Sequence, residues 1–314
     1  MKKQIKKAIR YFIQQYHGLK PNNTFTEVLN DPEGQDLFFL TGYDKSGTTW
    51  IKQAINDVKH FSCIGSNQYF DYLKATPESQ ILHTIVNSKD KKSVFNISAS
   101  DYELFFKASY VNKIKTFSKE ETRYFGEKST VQDVNLIHRI FPKSKTIVLI
   151  RDPRDIIVSF AFHFDRRNKK QAEAWSQEKS KFEADGTIKQ TFIDREVPKI
   201  LDYYNHLLQA KQVFPDSVIF VAYEDLISDA GFNVFLKLLK FIDADAFTVE
   251  NAQWAWDQNT FEKLSAGRKP GDKDASSFFR SGTAKDYLNH LSEAQVLKLN
   301  ELLINPLKQF NYLK

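Results

Sequence analysis

The sequence contains a single cysteine, a single methionine and no long apolar run within its 314 residues. With only Cys63 available, an intramolecular disulfide is excluded, and one thiol fits a reducing, cytoplasmic setting. No uninterrupted apolar segment approaches the roughly 20 residues that a membrane-spanning helix requires. The opening stretch MKKQIKKAIRYFIQQYHG is charged throughout, unlike the apolar core of a signal peptide. We therefore expect a soluble cytoplasmic protein.

The composition is ordinary for a globular protein, since 41% of the residues are hydrophobic and 27% are charged. The formal net charge of +6 suits an anionic ligand, but it suits nucleic acid or a membrane surface as well. Near the N-terminus, Ile5, Ile9 and Phe12 fall on one helical stripe surrounded by basic residues. We interpret residues 1–30 as an amphipathic helix with its lead-in, packed on a domain formed by residues 31–314. Contact of this helix with a membrane surface is the alternative interpretation, and no nucleic-acid partner is expected.

Strand-like and helix-like segments alternate along most of the chain. Short apolar or β-branched runs predict strands at about 36–42, 145–150 and 217–223, and a short strand or turn at 123–130. Helical periodicity is found at about 47–60, 131–141, 153–167, 191–214, 230–243 and 293–304, the last helix ending before Pro306. Residues 62–122 show no strong periodicity. Strands separated by helices predict an α/β fold, a single domain whose central parallel sheet is flanked by helices as in P-loop NTPases.

The segment FFLTGYDKSGTTWIK, residues 38–52, predicts an anion-binding site. An apolar run ends at Gly42, a short polar turn follows, and the pattern becomes helical after Gly47. The first backbone N–H groups of a helix have no partner within the helix, so they are free to bind an anion at such a turn.

This turn differs from the phosphate-binding loop of nucleotide triphosphatases, which reads G-x-x-x-x-G-K-[ST]. Gly42 and Gly47 keep the spacing, but Thr48 follows the second glycine and the lysine lies inside the loop as Lys45. The β-branched run KTIVLI is followed by Arg151, where those enzymes place a carboxylate that binds Mg²⁺. The pattern favours a phosphate site without a metal clamp, and a P-loop kinase or NTPase is the alternative.

The same residues resemble the first motif of sulfotransferases that use 3′-phosphoadenosine 5′-phosphosulfate (PAPS). That motif is usually Y-P-K-S-G-T-T-W, and YDKSGTTW at residues 43–50 differs from it only by Asp44 in place of proline. The family's second motif, a strand ending in arginine and then a helix with a serine eight residues on, is matched by Arg151 and Ser159. The resemblance implies that both hold the 3′-phosphate of the cofactor, a role that suits the planar, permanently charged guanidinium.

Two further matches extend the resemblance from residue 37 to about residue 292, in the family's order. In VAYEDL, Tyr223 would lie beside the adenine, and in FFRSGTAKDYLNHLS, Arg280 and Gly282 match the family loop R-K-G-x-x-G-D-W-K. This chain departs from that loop at Ser281, Lys285 and Tyr287. The cofactor site implied by the resemblance consists of Lys45, Ser46, Gly47, Thr48, Thr49, Trp50, Arg151, Ser159, Tyr223, Phe261, Arg280, Ser281 and Gly282. By sequence pattern alone, Trp50 and Phe261 would be core residues.

By resemblance, then, the protein is a sulfotransferase that leaves adenosine 3′,5′-bisphosphate (PAP) as its nucleotide product, and no metal is expected. Sulfuryl transfer to a hydroxyl needs an aligned acceptor, a base for its proton and a cation where charge builds on the departing oxygen. Lys45 is the candidate cation because it lies in the phosphate loop.

The stretch RYFGEKST resembles the G-E-K-[ST] segment of carbohydrate-type and many bacterial sulfotransferases, in which the glutamate is the base. This resemblance implies that Glu127 is the base, with Lys128 either tuning the carboxylate or touching the sulfonate. The K-T-H-like context that supplies a histidine in the cytosolic small-molecule branch is not found here. His60 and His83 are alternative bases, and the two charges of the motif could instead form a structural pair at a helix start.

The acceptor is not identified by the sequence. Aromatic residues between positions 61 and 110 could line an apolar or sugar-stacking pocket, or the underside of a helical lid. The resemblance implies a small-molecule or carbohydrate acceptor that offers an alcohol, phenol, amine or sugar hydroxyl. A non-catalytic nucleotide-binding protein is a further alternative, because Asp44, Ser281 and Lys285 depart from the family motifs. The oligomeric state is left open.

Overall fold

The computed structural model describes residues 34–65, 107, 110–111, 114–129, 134–171 and 180–313. The predicted N-terminal helix, His83 and most of the segment 62–122 lie outside the described residues. The division of the chain into residues 1–30 and 31–314 therefore stays a prediction.

The described residues contain a five-stranded sheet with the strand order β2-β3-β1-β4-β5. The strands are β1 Leu37–Gly42, β2 Phe61–Ile64, β3 Tyr124–Lys128, β4 Lys145–Ile150 and β5 Val218–Ala222. The predicted fold class is confirmed: a single α/β domain in which helices flank a central parallel sheet. The strand β2 was not predicted, because four residues, FSCI, are too few to show a period of two.

Helices connect and cover the strands of the described chain. They are α1 Thr48–Asp57, α2 Val134–Ile140, α3 Pro153–Gln171, α4 Gln190–Val213, α5 Tyr223–Leu226, α6 Gly231–Ile242, α7 Val249–Gln258, α8 Phe261–Leu264, α9 Glu293–Leu302 and α10 Ile304–Gln309, with a 3-10 turn at Asp286–Asn289. The predicted helix at 293–304 does end before Pro306, at Leu302, but it is not the last helix of the chain. The helix α10 was not predicted, and it accommodates Pro306 in its first turn, where a missing N–H costs no hydrogen bond. Within the described part of the chain, no helix combines the length and apolarity needed to cross a membrane.

The first of two compact units contains the described residues among 1–39 and 60–145. Its strands β2 and β3 pair in parallel. Phe39 on β1 stacks against the rings of Tyr110 and Phe141, with centroids 6.1 and 5.9 Å away. All three rings are buried, so aromatic packing holds this unit together.

Gly126 on β3 lies directly against the buried ring of Phe38, and its replacement by alanine is expected to destabilise the protein by about 1–3 kcal/mol. A Cβ atom at this position would be 2.2 Å from a ring carbon of Phe38, closer than any real contact. Urea unfolding measures the effect as a lower midpoint. Gly65→Ala is the matched control, because a Cβ at Gly65 meets no described atom within 4 Å. Equal midpoints for the two variants would contradict the close packing described here.

The second unit contains residues 40–59 and the described residues among 146–314. Its strands β4 and β5 pair in parallel, from Thr146 opposite Val218 to Ile150 opposite Ala222. The run of β-branched and apolar residues in β4 is buried throughout from residue 146 onwards, as expected for a strand covered on both faces. In parallel sheets, ligands bind outside the carboxyl ends of the strands. In this unit those ends lead into the Tyr43–Gly47 loop, Arg151 and Tyr223.

Candidate active site

The loop between β1 and α1 has the backbone geometry of an anion seat. Lys45 and Gly47 adopt left-handed conformations, with φ of 76° and 91°, and the Ser46 N–H donates to the carbonyl of Tyr43 at 3.1 Å. Gly47 is the N-cap of α1, and without a side chain it cannot cap the first N–H groups of the helix. A Cβ at Gly47 would lie 2.9 Å from the ring of Tyr223. The loop therefore needs glycine here both for its conformation and for the close approach of Tyr223.

Arg151 follows β4 and is buried beside this loop. Its Nη1 donates to the carbonyl of Lys45 at 3.0 Å and its Nη2 to the carbonyl of Thr283 at 3.4 Å. The guanidinium carbon lies 4.5 Å from the centroid of the Tyr223 ring, a cation–π geometry. Burial by itself lowers the pKa of Arg151, but Tyr223 and nearby carboxylates, Asp155 first among them, outweigh burial and raise it. The side chain is therefore a permanent cation that links two loops.

The backbone at Arg151 is fixed by Tyr204, a buried residue of α4 that the sequence did not single out. The Tyr204 hydroxyl donates to the carbonyl of Arg151, and the Arg151 N–H lies 3.3 Å from the same hydroxyl. Desolvation raises the pKa of Tyr204 well above its usual value, so the hydroxyl keeps its proton. Tyr204 lies 53 residues from its partner, and no local pattern could have revealed this contact.

Aromatic side chains pack beside the β1–α1 loop and Arg151. The indole Nε1–H of Trp50 donates to the carbonyl of Asn259 at 2.7 Å. Its ring meets Tyr223 edge-on at a centroid distance of 6.1 Å and packs against Trp256 at 5.4 Å. Trp50 is half-buried, so it is neither a wholly internal core residue nor a free surface residue.

The loop that carries Arg280 is shaped by glycine and by another arginine. Gly282, with φ of 64°, packs so closely against the ring of Phe261 that a Cβ would lie 2.5 Å from it. Arg268 donates from Nη1 to the carbonyls of Asp272 and Arg280 at 2.9 and 3.0 Å. The preceding stretch GRKPGD, residues 267–272, resembles only the approach to this loop, but its Arg268 organises the loop backbone.

Asp155 anchors the far end of this loop and was also missed. Its carboxylate accepts hydrogen bonds from the N–H groups of Lys285 and Tyr287, at 2.7 and 2.9 Å. The sequence RDPRD is also compatible with a solvated ion-pair ladder, but Asp152, Arg154 and Asp155 are all buried. These residues are therefore part of the interior next to Arg151 and do not form a solvated ladder.

Lys45 extends toward an exposed aromatic ring. Its Nζ lies 4.7 Å from the centroid of Phe278, a ring that is 48% exposed. Arg166 of α3 approaches the same ring at 5.6 Å and donates from Nη1 to the carbonyl of Ser277 at 2.6 Å. Two cations therefore approach the same aromatic ring.

His163 of α3 lies 3.0 Å from Arg166, measured from Nδ1 to Nη2. Burial, followed by the positive charges of Lys45, Arg166 and Arg167, lowers the pKa of His163 to about 4. The imidazole is neutral at physiological pH, so Nδ1 can accept the hydrogen bond from the guanidinium. Ser159, one turn earlier on α3, is half-buried.

Glu127 and Lys128 belong to the first unit, at the carboxyl end of β3. The Glu127 side chain is buried, and the Tyr110 hydroxyl donates a hydrogen bond to its Oε2. These residues are therefore part of a strand, not of a helix start. The alternative base His60 lies before β2, and its Nδ1 is 3.0 Å from the carbonyl of Glu121.

The second unit holds buried polar atoms that lack a hydrogen-bond partner among the described residues. Three of them lie in the sequence motifs: the hydroxyl of Ser46, Nε of Arg151 and Nη1 of Arg280. The others are Oε1 of Gln53, the hydroxyls of Thr146 and Tyr203, and both ring nitrogens of His290. Nearly all buried polar atoms in proteins are hydrogen-bonded, so three unsatisfied donors from three separate motifs fit a ligand rich in anionic oxygens. Among the residues that the structure describes, no group of three His, Cys, Asp or Glu side chains could hold a metal ion.

A glycine-bounded loop after β1, a buried arginine after β4 and neighbouring aromatic rings are the features expected of a nucleotide-phosphate site on a parallel α/β sheet. A family model of the sulfotransferase domain matches residues 35–311. The chain therefore belongs to the sulfotransferase family, as its motifs predict, and is an enzyme of the class that uses PAPS.

Known relatives share this assignment. Cytosolic sulfotransferase 1 of Danio rerio is 27% identical, over 94% of this chain and 92% of its own length. Sulfotransferase 6B1 of the same species is 32% identical over 164 residues, which are 51% of this chain and 51% of that protein. The amine sulfotransferase of Oryctolagus cuniculus is 23% identical over 90% of this chain and 85% of its own length.

A solved structure shares the fold. The mouse sulfotransferase SULT7A1, crystallised as a complex with PAP, superposes with a TM-score of 0.55 at 17% identity, covering 94% of each chain.

Proposed function

We propose that this enzyme transfers a sulfuryl group from PAPS to a hydroxyl or amine of a small-molecule acceptor. The observation that carries the proposal is the set of three buried, unsatisfied donors on Ser46, Arg151 and Arg280. Each belongs to a different family motif, and all belong to one compact unit. PAPS offers two groups of anionic oxygens that such donors can bind, and when bound it supplies the sulfuryl group itself.

We assign the phosphates of the cofactor to two sets of residues. The loop Lys45–Thr49, with the first N–H groups of α1, would bind the 5′-phosphate, because these donors converge at a helix N-terminus. Arg151, Ser159, Arg280, Ser281 and Gly282 would bind the 3′-phosphate. The aromatic residues Trp50, Tyr223 and Phe261 would flank the adenine.

Lys45 is the residue we propose to stabilise negative charge on the departing phosphate oxygen. Its ammonium is held on the flexible end of a long side chain, 4.7 Å from the ring of Phe278. A hydrogen bond from an ammonium to an anionic oxygen is stronger than a cation–π contact, so the bound cofactor would be a better partner for Nζ than this ring.

Glu127 is the residue we propose to take the proton from the acceptor, with Lys128 tuning its carboxylate or touching the sulfonate. The hydrogen bond from Tyr110 engages Oε2 and fixes the orientation of the carboxylate. The location of Glu127 at the carboxyl end of a strand supports this role, since ligands of parallel sheets bind at that edge.

The acceptor class rests on the relatives. One of them is named for amines, and the family resemblance of the motifs extends to hydroxyl acceptors. We therefore propose a small-molecule acceptor, with a carbohydrate as the alternative that the Glu127 motif keeps open. We also propose a cytoplasmic location, as for the relative named as cytosolic.

A thermal-shift comparison of PAP with ADP and AMP, each with and without Mg²⁺, tests the cofactor assignment. A ligand present at 100 times its Kd stabilises a protein by about 2.7 kcal/mol, which raises the midpoint by several degrees. We expect PAP to produce this shift independently of Mg²⁺, and Arg151→Ala to abolish it. Arg151→Lys is the matched control for charge, and it should recover little, because lysine lacks the planar fork.

A larger shift with ADP and Mg²⁺ than with PAP would contradict this function. It would identify the site as that of a kinase or NTPase.

A further inference from the structure

In the second unit, one buried carboxylate, that of Asp286, is paired with two cationic side chains. Asp286, which is 1% exposed, accepts a hydrogen bond from Lys273 at 2.8 Å and one from Arg280. Asn289 donates to it at 3.0 Å, and His290 Nε2 lies 3.7 Å from Oδ2. Burial lowers the pKa of His290, so that imidazole adds no charge at physiological pH. Two cations and one anion therefore meet here.

This cluster holds Arg280 in place and leaves one of its buried nitrogens without a partner among the described residues. Asp286 engages Nη2, and the ring of Phe162 lies under the guanidinium at 4.4 Å. Nη1 is buried and has no partner among the described residues. Under the proposed function, that donor faces the cofactor.

Lys273 decides the net charge of the cluster. Burial raises the pKa of Asp286, but the hydrogen bond from Lys273 and the charge of Arg280 outweigh it and hold the pKa well below its usual range. Asp286 is thus an anion, and paired with Arg280 alone it would cancel the arginine's charge. With Lys273 present, the cluster keeps one positive charge for a phosphate dianion.

The family loop has a lysine directly after its arginine, and this chain has Ser281 there. The Ser281 hydroxyl accepts a hydrogen bond from Thr283 at 3.2 Å and carries no charge. Lys273 lies eight residues earlier in the chain and reaches the same cluster through Asp286.

We propose that Lys273 is a positioning residue for cofactor binding: it neutralises Asp286 so that Arg280, held in place by the same carboxylate, presents net positive charge to the phosphate. The inference rests on the proposed function, because it requires Arg280 to bind the cofactor. Lys273 itself, 43% exposed in its side chain, acts through Asp286 and not by contact with the nucleotide.

Calorimetric titration of the full-length protein with PAP tests this inference. Lys273→Met should weaken PAP binding about tenfold, since the cluster becomes neutral beside a dianion. Lys269→Met removes the same charge from an exposed position in the same loop and should stay within about twofold. Lys273→Arg, which keeps the charge, should bind as the wild type does.

The double variant Lys273→Met/Asp286→Asn distinguishes a charge effect of Lys273 on PAP binding from a purely structural effect. Removal of both charges leaves Arg280 with its own positive charge, so the double variant should bind PAP more tightly than Lys273→Met alone. The thermal midpoint of each unliganded variant separates binding effects from loss of folded protein.

Two outcomes overturn the inference while leaving the proposed function intact. One is equal affinity of Lys273→Met and Lys269→Met for PAP, and the other is a double variant no better than Lys273→Met. If the wild-type protein does not bind PAP at all, the proposed function fails and the inference fails with it.

Discussion

Replacement of Glu127 by glutamine is expected to lower kcat by roughly 10²–10⁴-fold, the usual contribution of a positioned general base. An amide cannot take the proton of the acceptor, but it has the same size and can still accept the hydrogen bond from Tyr110. The affinity for PAP should stay unchanged, because the phosphate donors belong to other residues. Single-turnover sulfuryl transfer and calorimetric binding of PAP measure the two quantities separately.

The control for Glu127→Gln is Glu121→Gln, an exposed glutamate of the same unit. Substitutions of His60 and His83 by glutamine complete the set, since these histidines are the alternative bases. Loss of turnover in one of the histidine variants, with normal turnover in Glu127→Gln, would reject the glutamate as base.

Replacement of Lys45 by methionine is expected to lower kcat by roughly 10²–10³-fold, the range measured when one donor to a developing anion is removed. Methionine keeps the apolar length of the side chain beside Phe278, so the loss is chiefly one of charge. The effect should be larger on kcat than on the affinity for PAP, because the charge on the departing oxygen grows in the transition state.

Lys52→Met on α1 is the matched control, since it removes one lysine from the helix that follows the loop. We expect its kcat to remain near the wild-type value. An equal fall in kcat for both variants, or a Lys45→Met variant that loses PAP affinity but not kcat, would remove Lys45 from the chemical step.

The regular elements of the second unit are predictable from sequence because their signals are local. The strand β4 occupies residues 145–150 as its β-branched run predicts, and α4 begins and ends one residue from the predicted bounds. Strand β2 escapes prediction because it is four residues long, and α10 because a proline normally ends a helix. Prediction therefore fails for a strand too short to show a pattern and for a helix that contains a proline.

In the candidate site too, the sequence predicts some residues and misses others. Linear motifs identify the loop that contains Lys45 and the position of Arg151, since both lie next to strand ends. The residues that hold this site in place belong to no motif. Tyr204 bonds to the backbone of Arg151, 53 residues away in the chain. Asp155 accepts a hydrogen bond from the N–H of Lys285, which is 130 residues away. Such contacts are made by tertiary packing, and one sequence contains no periodic signal for them.

The loop that carries Arg280 is anchored largely through its main-chain carbonyl and N–H groups. Arg151 and Arg268 donate to main-chain carbonyls, including those of Thr283 and Arg280, and Asp155 accepts from main-chain N–H groups. Every amino acid carries that carbonyl, so evolution can exchange the side chains of the loop without losing its anchors. Side chains at positions 281 and 285 can therefore differ from those of the family loop while the main-chain anchors keep the same backbone shape.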